Sequence, residues 1–112
     1  MLGAMLSANS YAQCNSEEVG YVASFEVKAG SEAGLESALS TLAETVNRVE
    51  SGVVLYAPYK GTDGKYYMME RYANEAARTA HGKSAEVSAL FPGLGEHLAG
   101  PPVVNPVSAV CP

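Results

Sequence analysis

The chain has 112 residues, of which 47% are hydrophobic and 17% charged, enough apolar material for one globular domain and too much for intrinsic disorder. The net charge is −5, and Lys60, Lys65 and Arg71 are scattered along the chain, so the basic footprint of a nucleic-acid binder is missing. No apolar run approaches the ~20 residues that span a bilayer, and no membrane partner is expected.

Met1 to Ala12 is weakly apolar, without charged side chains, and Ser10-Tyr11-Ala12 carries small residues where a signal peptidase reads. Residues 1–17 therefore read either as the remnant of a secretory signal or as a leader of no structural role, with the folded domain in 18–112. The first reading places the protein in the periplasm or outside the cell, the second in the cytoplasm. Gln13 is too large beside Cys14 for a lipoprotein box.

Residues 19–28 alternate with period two: Val19, Tyr21, Ala23, Phe25 and Val27 point one way, as in a half-buried strand. Ser31 is positioned to cap a helix whose apolar stripe is Leu35, Ala38, Leu39, Leu42, Val46 and Val49. Ser51-Gly52 stops it, and a second strand runs from Val53 to about Tyr59, with Pro58 marking a bulge or an edge. Gly61-Thr62-Asp63-Gly64 has hairpin-turn chemistry. The third strand, Lys65 to Tyr72, sets Tyr66, Met68, Glu70 and Tyr72 on one face and Tyr67, Met69 and Arg71 on the other. Asn74 caps a second helix carrying Ala76, Ala77, Ala80 and His81, which loosens at Gly82. A further helical piece covers Ser84 to Leu90, Phe91 to Gly95 breaks it, and a turn of helix is expected at Glu96 to Ala99. Pro101-Pro102 opens a last strand, Val103 to Val110, where Pro106 suits an edge.

The order β-α-β-β-α-β is that of a ferredoxin-like α+β unit, an antiparallel sheet with both helices on one face. Val22, Val54 or Leu55, Tyr67 and Met69 would line the uncovered face, which a homodimer would bury. Cys14 and Cys111 have no metal-ligand spacing to another Cys or His, so no metal site is expected. In this topology the start of the first strand lies beside the end of the last. The two cysteines are either a disulfide, in an oxidising compartment, or two free thiols on frayed ends.

The ordered set Lys28-Ala29-Gly30, the stripe Leu35 to Val49, Gly52 opening a strand, Glu70-Arg71-Tyr72, Ala80-His81 and Pro101-Pro102-Val103 resembles the antibiotic biosynthesis monooxygenase family of dimeric α+β barrels. The resemblance covers roughly residues 19–108. It implies a homodimer with a pocket between sheet and helices in each subunit. It also implies a cofactor-independent monooxygenase acting with O2 on a phenolic, quinol-like or polycyclic aromatic molecule. A non-catalytic dimeric binding module for a small apolar molecule and an isomerase are the alternatives on the same scaffold. Haem-degrading relatives carry a pocket Trp and a late helical His; this chain has no Trp, and His97 lies beyond a Pro-Gly break.

His81 is the candidate base or substrate-orienting group, since an imidazole titrates near neutral pH; a core histidine bonded to a carbonyl or to Glu70 is the competing reading. Tyr72 is the candidate hydrogen-bond donor to substrate oxygen. Glu70 either pairs with His81 or is a structural carboxylate. Asn47, at the edge of the helical stripe, either holds a substrate carbonyl or faces solvent. Phe25, Tyr56, Tyr66, Met68 and Phe91 are candidate pocket walls, with core packing as the alternative.

Overall fold

The computed structural model describes residues 14–112, so most of the expected leader, residues 1–13, lies outside the described residues. Four strands, β1 (Val19–Phe25), β2 (Val53–Lys60), β3 (Tyr66–Tyr72) and β4 (Val103–Ser108), form one antiparallel sheet in the order β2-β3-β1-β4. This is the ferredoxin-like order. Both proline-containing strands are at its edges, where a missing N–H breaks no ladder.

The long helix α1 (Glu32–Val49) buries Leu35, Leu39, Leu42, Ala43 and Val46 on the sheet, the face its periodicity marks out. Ser31 does precede it, but its side chain makes no capping bond; its carbonyl accepts the first helical N–H, from Leu35. The second helical region is three short pieces: α2 (Glu75–Ala80), α3 (Ala85–Ser88) and α4 (Phe91–Gly95). Asn74 and Ser84 cap α2 and α3, each accepting a backbone N–H from three residues on. The Phe91 to Gly95 stretch, expected as a break, is the helix α4. Pro92 falls in its first turn, where no N–H is needed, and Leu94 seals the core. Glu96 to Ala99 forms turns, and Val27 bridges to Leu98 just past the end of β1, which closes earlier than its alternation suggests.

The register pairs Tyr66, Met68, Glu70 and Tyr72 with Phe25, Ala23, Tyr21 and Val19, so all eight share the helix-covered face. Arg78 stitches α2 to that face. Its guanidinium donates to Gly20 O at 2.9 Å and Val107 O at 3.3 Å, lies over the Tyr21 ring and is held by Glu75. On the far face Val22, Tyr67 and Met69 are half-buried, whereas Tyr59, Val103 and Val107 are exposed.

Cys14 and Cys111 are joined by a disulfide with a Cα–Cα distance of 5.6 Å across a sequence separation of 97. Beside it, Ala109 N–H donates to Glu18 O, and the Glu18 carboxylate pairs with Arg71. A link closing so long a loop restricts the unfolded chain strongly. The Cys111→Ser variant is expected to lose about 4 kcal/mol of stability. Urea unfolding of both proteins, with and without reductant, checks this: reductant should lower the wild-type midpoint to that of the variant and leave the variant unmoved.

Candidate functional site

The helix-covered face contains a cavity of about 180 Å³. Ala23, Phe25, Leu42 and Leu94 supply its apolar lining, and Phe91, Pro102 and Val104 also border it. Tyr21, Tyr56, Glu70 and His81 complete its lining. Among the described residues no Lys or Arg lines it.

His81 is not carried on a helix. It is the C-cap of α2 with extended ψ, because Gly82, at φ +77°, turns the chain there in a conformation that disfavours any side chain. This turn delivers both the His81 ring and the Gly82 N–H to one carboxylate. Glu50, the residue after α1, accepts from His81 Nδ1 at 2.9 and 3.0 Å through its two oxygens, and from Gly82 N–H at 2.9 Å. The His81 and Glu50 side chains are 14% and 10% exposed, so water competes little for the pair. A carboxylate can only accept, so in the neutral ring Nδ1 carries the proton and Nε2 presents a lone pair.

Nε2 stands 3.5 Å from the Tyr56 hydroxyl and 3.9 Å from Glu70 Oε1. Glu70 is 6% exposed. Burial raises its pKa above the ordinary carboxylate value, against the lowering effect of the Tyr72 hydroxyl, which donates to Oε1 at 2.7 Å. Tyr56 is likewise pushed up, by burial first and then by the Glu70 and Glu50 charges, so its phenol keeps its proton.

The structure thus brings His81, Tyr56, Glu70, Phe25 and Phe91 to one cavity and leaves other candidates elsewhere. Tyr72 is wholly buried and donates its proton into Glu70; it acts through that carboxylate and does not line the cavity. Met68 is wholly buried core. Tyr66 borders a different cavity, near β2, with its hydroxyl donated to Glu36, which raises its pKa to about 12. The Asn47 amide donates to Ala43 O at 2.7 Å and Tyr56 O at 2.9 Å; it pins α1 to β2 rather than reaching a ligand. Glu50 was not among the residues expected from sequence. Its signal is its position: an acid at a helix C-terminus opposes the helix dipole, so a local cost there asks for a compensating partner. Among the described residues no group of three His, Cys, Asp or Glu side chains is arranged to hold a metal ion, and no helix is long and apolar enough to cross a membrane.

Comparison with known proteins gives this arrangement its context. The profile of the antibiotic biosynthesis monooxygenase family matches residues 19–92, well over half of the chain. The chain belongs to the antibiotic biosynthesis monooxygenase family. Among solved structures of similar fold is a candidate antibiotic biosynthesis monooxygenase from Caulobacter crescentus, 27% identical, with a TM-score of 0.78 over 91% of this chain and 98% of that one. A Mycobacterium tuberculosis protein is 25% identical, with a TM-score of 0.75 over 85% of this chain and 97% of its own. A conserved Methanosarcina mazei protein, 22% identical with a TM-score of 0.77, covers 84% of this chain and 94% of its own, and shares the fold. No functionally curated protein matches the chain. The family assignment agrees with the ferredoxin-like scaffold described above.

The Glu70 environment makes a pH prediction. Its folded-state pKa is raised, so above the ordinary glutamate value, ~4.3, the unfolded chain releases the proton first and stability falls as pH rises through the window up to the folded value. Glu70→Gln keeps an acceptor for Tyr72 and removes the buried charge. The variant should be more stable than wild type at pH 7, with the gain gone by about pH 4; thermal melts across that range measure it.

Proposed function

We propose that this protein is a cofactor-independent monooxygenase that oxidises a small phenolic or quinol-like aromatic molecule with O2. The observation that carries this is the orientation of His81: Nδ1–H is held by Glu50 while Nε2 lies toward Tyr56 and Glu70, which with His81 line the same apolar cavity. A base fixed in that tautomer takes a hydroxyl proton, and the Glu50 carboxylate stabilises the imidazolium that forms. Where the ring is electron-rich, as in a hydroquinone or an anthrone, the resulting anion passes an electron to O2 directly. A C–O bond forms at a ring carbon, the imidazolium returns its proton to the peroxide, and the O–O bond breaks as the ring C–H proton leaves. Phenol and O2 thus become quinone and water, with all four electrons supplied by the substrate. The apolar walls contribute by excluding water from the anion.

The cavity, about 180 Å³, lies below the ~300–1,000 Å³ typical of ligand sites, which favours one or two rings over larger polycycles. The exposed Tyr59, Val103 and Val107 on the uncovered sheet face support a homodimer packed through that face. Tyr59→Lys combined with Val107→Asp should shift the protein to monomer in sedimentation.

Oxygen uptake by the metal-free protein, over a panel of phenols, hydroquinones and anthrones, tests the activity. Uptake above the uncatalysed rate is expected, falling ~100-fold or more in His81→Ala. No uptake with any compound, or an unchanged rate in the variant, would transfer the site to ligand binding or isomerisation.

A further inference from the structure

Two hydrogen-bond acceptors lie side by side on residues that line the cavity. His81 Nε2 presents a lone pair because Glu50 holds the proton on Nδ1. Glu70 Oε1, 3.9 Å away, accepts one bond from Tyr72 and retains capacity for a second. The 3.9 Å gap is too wide for the two to satisfy each other, and the Tyr56 hydroxyl at 3.5 Å holds Nε2 only loosely. Both groups line the same cavity.

We propose that the ligand of this cavity is a neutral vicinal diphenol, a ring with two adjacent hydroxyl groups, one donating to His81 Nε2 and the other to Glu70 Oε1. Adjacent ring hydroxyls have their oxygens about one hydrogen-bond length apart, ~2.7 Å, so their two outward O–H bonds splay to reach acceptors spaced somewhat wider. A single hydroxyl leaves one acceptor without a donor. Hydroxyls across the ring from each other point in opposite directions, and only one of them meets the pair. The remaining ring surface faces Phe25, Leu42, Leu94 and Phe91, which are apolar.

The charges sharpen the choice. Glu50 and Glu70 flank His81, no Lys or Arg among the described residues lines the cavity, and Arg78 is engaged by Glu75 and two backbone carbonyls. A carboxylate or phosphate on the ligand finds no cation there and meets two acids, a desolvation cost without return. The ligand is therefore a diphenol without an acidic substituent.

For turnover this rests on the oxygenase reading, but the binding preference does not. The test is anaerobic titration calorimetry with catechol, resorcinol, hydroquinone, phenol and 3,4-dihydroxybenzoate. Catechol should bind about tenfold or more tighter than phenol, resorcinol and hydroquinone, the effect of one added hydrogen bond to a charged acceptor. The benzoate should bind at least as weakly as phenol. In Glu70→Met, which removes the acceptor, the preference for catechol over phenol should shrink to within about twofold, with circular dichroism confirming the fold. Equal affinities for catechol and hydroquinone in the wild type, or a catechol preference that survives Glu70→Met, would overturn the proposal. Catechol selectivity without oxygen uptake would uphold this ligand class and remove the oxygenase reading. Oxygen uptake on hydroquinone without catechol selectivity would do the reverse.

Discussion

The Glu50 carboxylate is the point on which the site depends. It stands at the junction of α1 and β2, accepts the Gly82 N–H and so holds the turn that ends α2, and through the same oxygens fixes the His81 ring. One side chain thus couples the first half of the fold to the second and sets which imidazole nitrogen meets the cavity. A charge-assisted pair with so little exposure is worth more than a surface ion pair, and it is a cost if either partner is removed. The dipole of α1 opposes an acid at this end, so the chain tolerates a local penalty to gain a defined tautomer.

Around this point the chemistry is graded by depth. Tyr72 lies deepest and orients Glu70; Glu70 and Tyr56 occupy the next layer, where burial disfavours their charged forms; His81 lies between Glu50 and Glu70. The sheet supplies Glu70, Tyr72 and Tyr56 from adjacent strands in register, and rigid strands position such groups more closely than loops do. Only His81 comes from a turn, and that turn is tethered.

Much of this was legible in the sequence because periodicity reports faces. The alternation of β3 placed Tyr66, Met68, Glu70 and Tyr72 together, and the stripe of α1 named its buried residues other than Ala43. Periodicity does not report depth along a face. Tyr66 and Tyr72 share a face, yet one reaches Glu36 near the β2–β3 hairpin and the other ends on Glu70 in the core. His81 was recognisable by type, but a single glycine decided that it leaves the helix, and Asn47 has a backbone partner nine residues away that no local pattern announces. Pro92 reads as a breaker unless one knows that a new helix starts beside it. Glu50 was missed because acids near helix ends are ordinarily solvated, and only its sign relative to the helix marked it out.

The Cys14–Cys111 bridge has a topological consequence. It makes the described chain, apart from Pro112, a closed loop, with strands and helices threaded on a ring that has no free end inside the fold. Sequence attached before Cys14 and after Cys111 must leave from the same corner, and tension applied there loads a covalent bond before it reaches the sheet. New ends are then best opened at the opposite corner, in the exposed Thr62-Asp63-Gly64 turn, several residue pairs along the β2–β3 ladder from Tyr56 and Glu70. A permuted chain cut there would keep every strand pairing and leave the cavity walls in their original register.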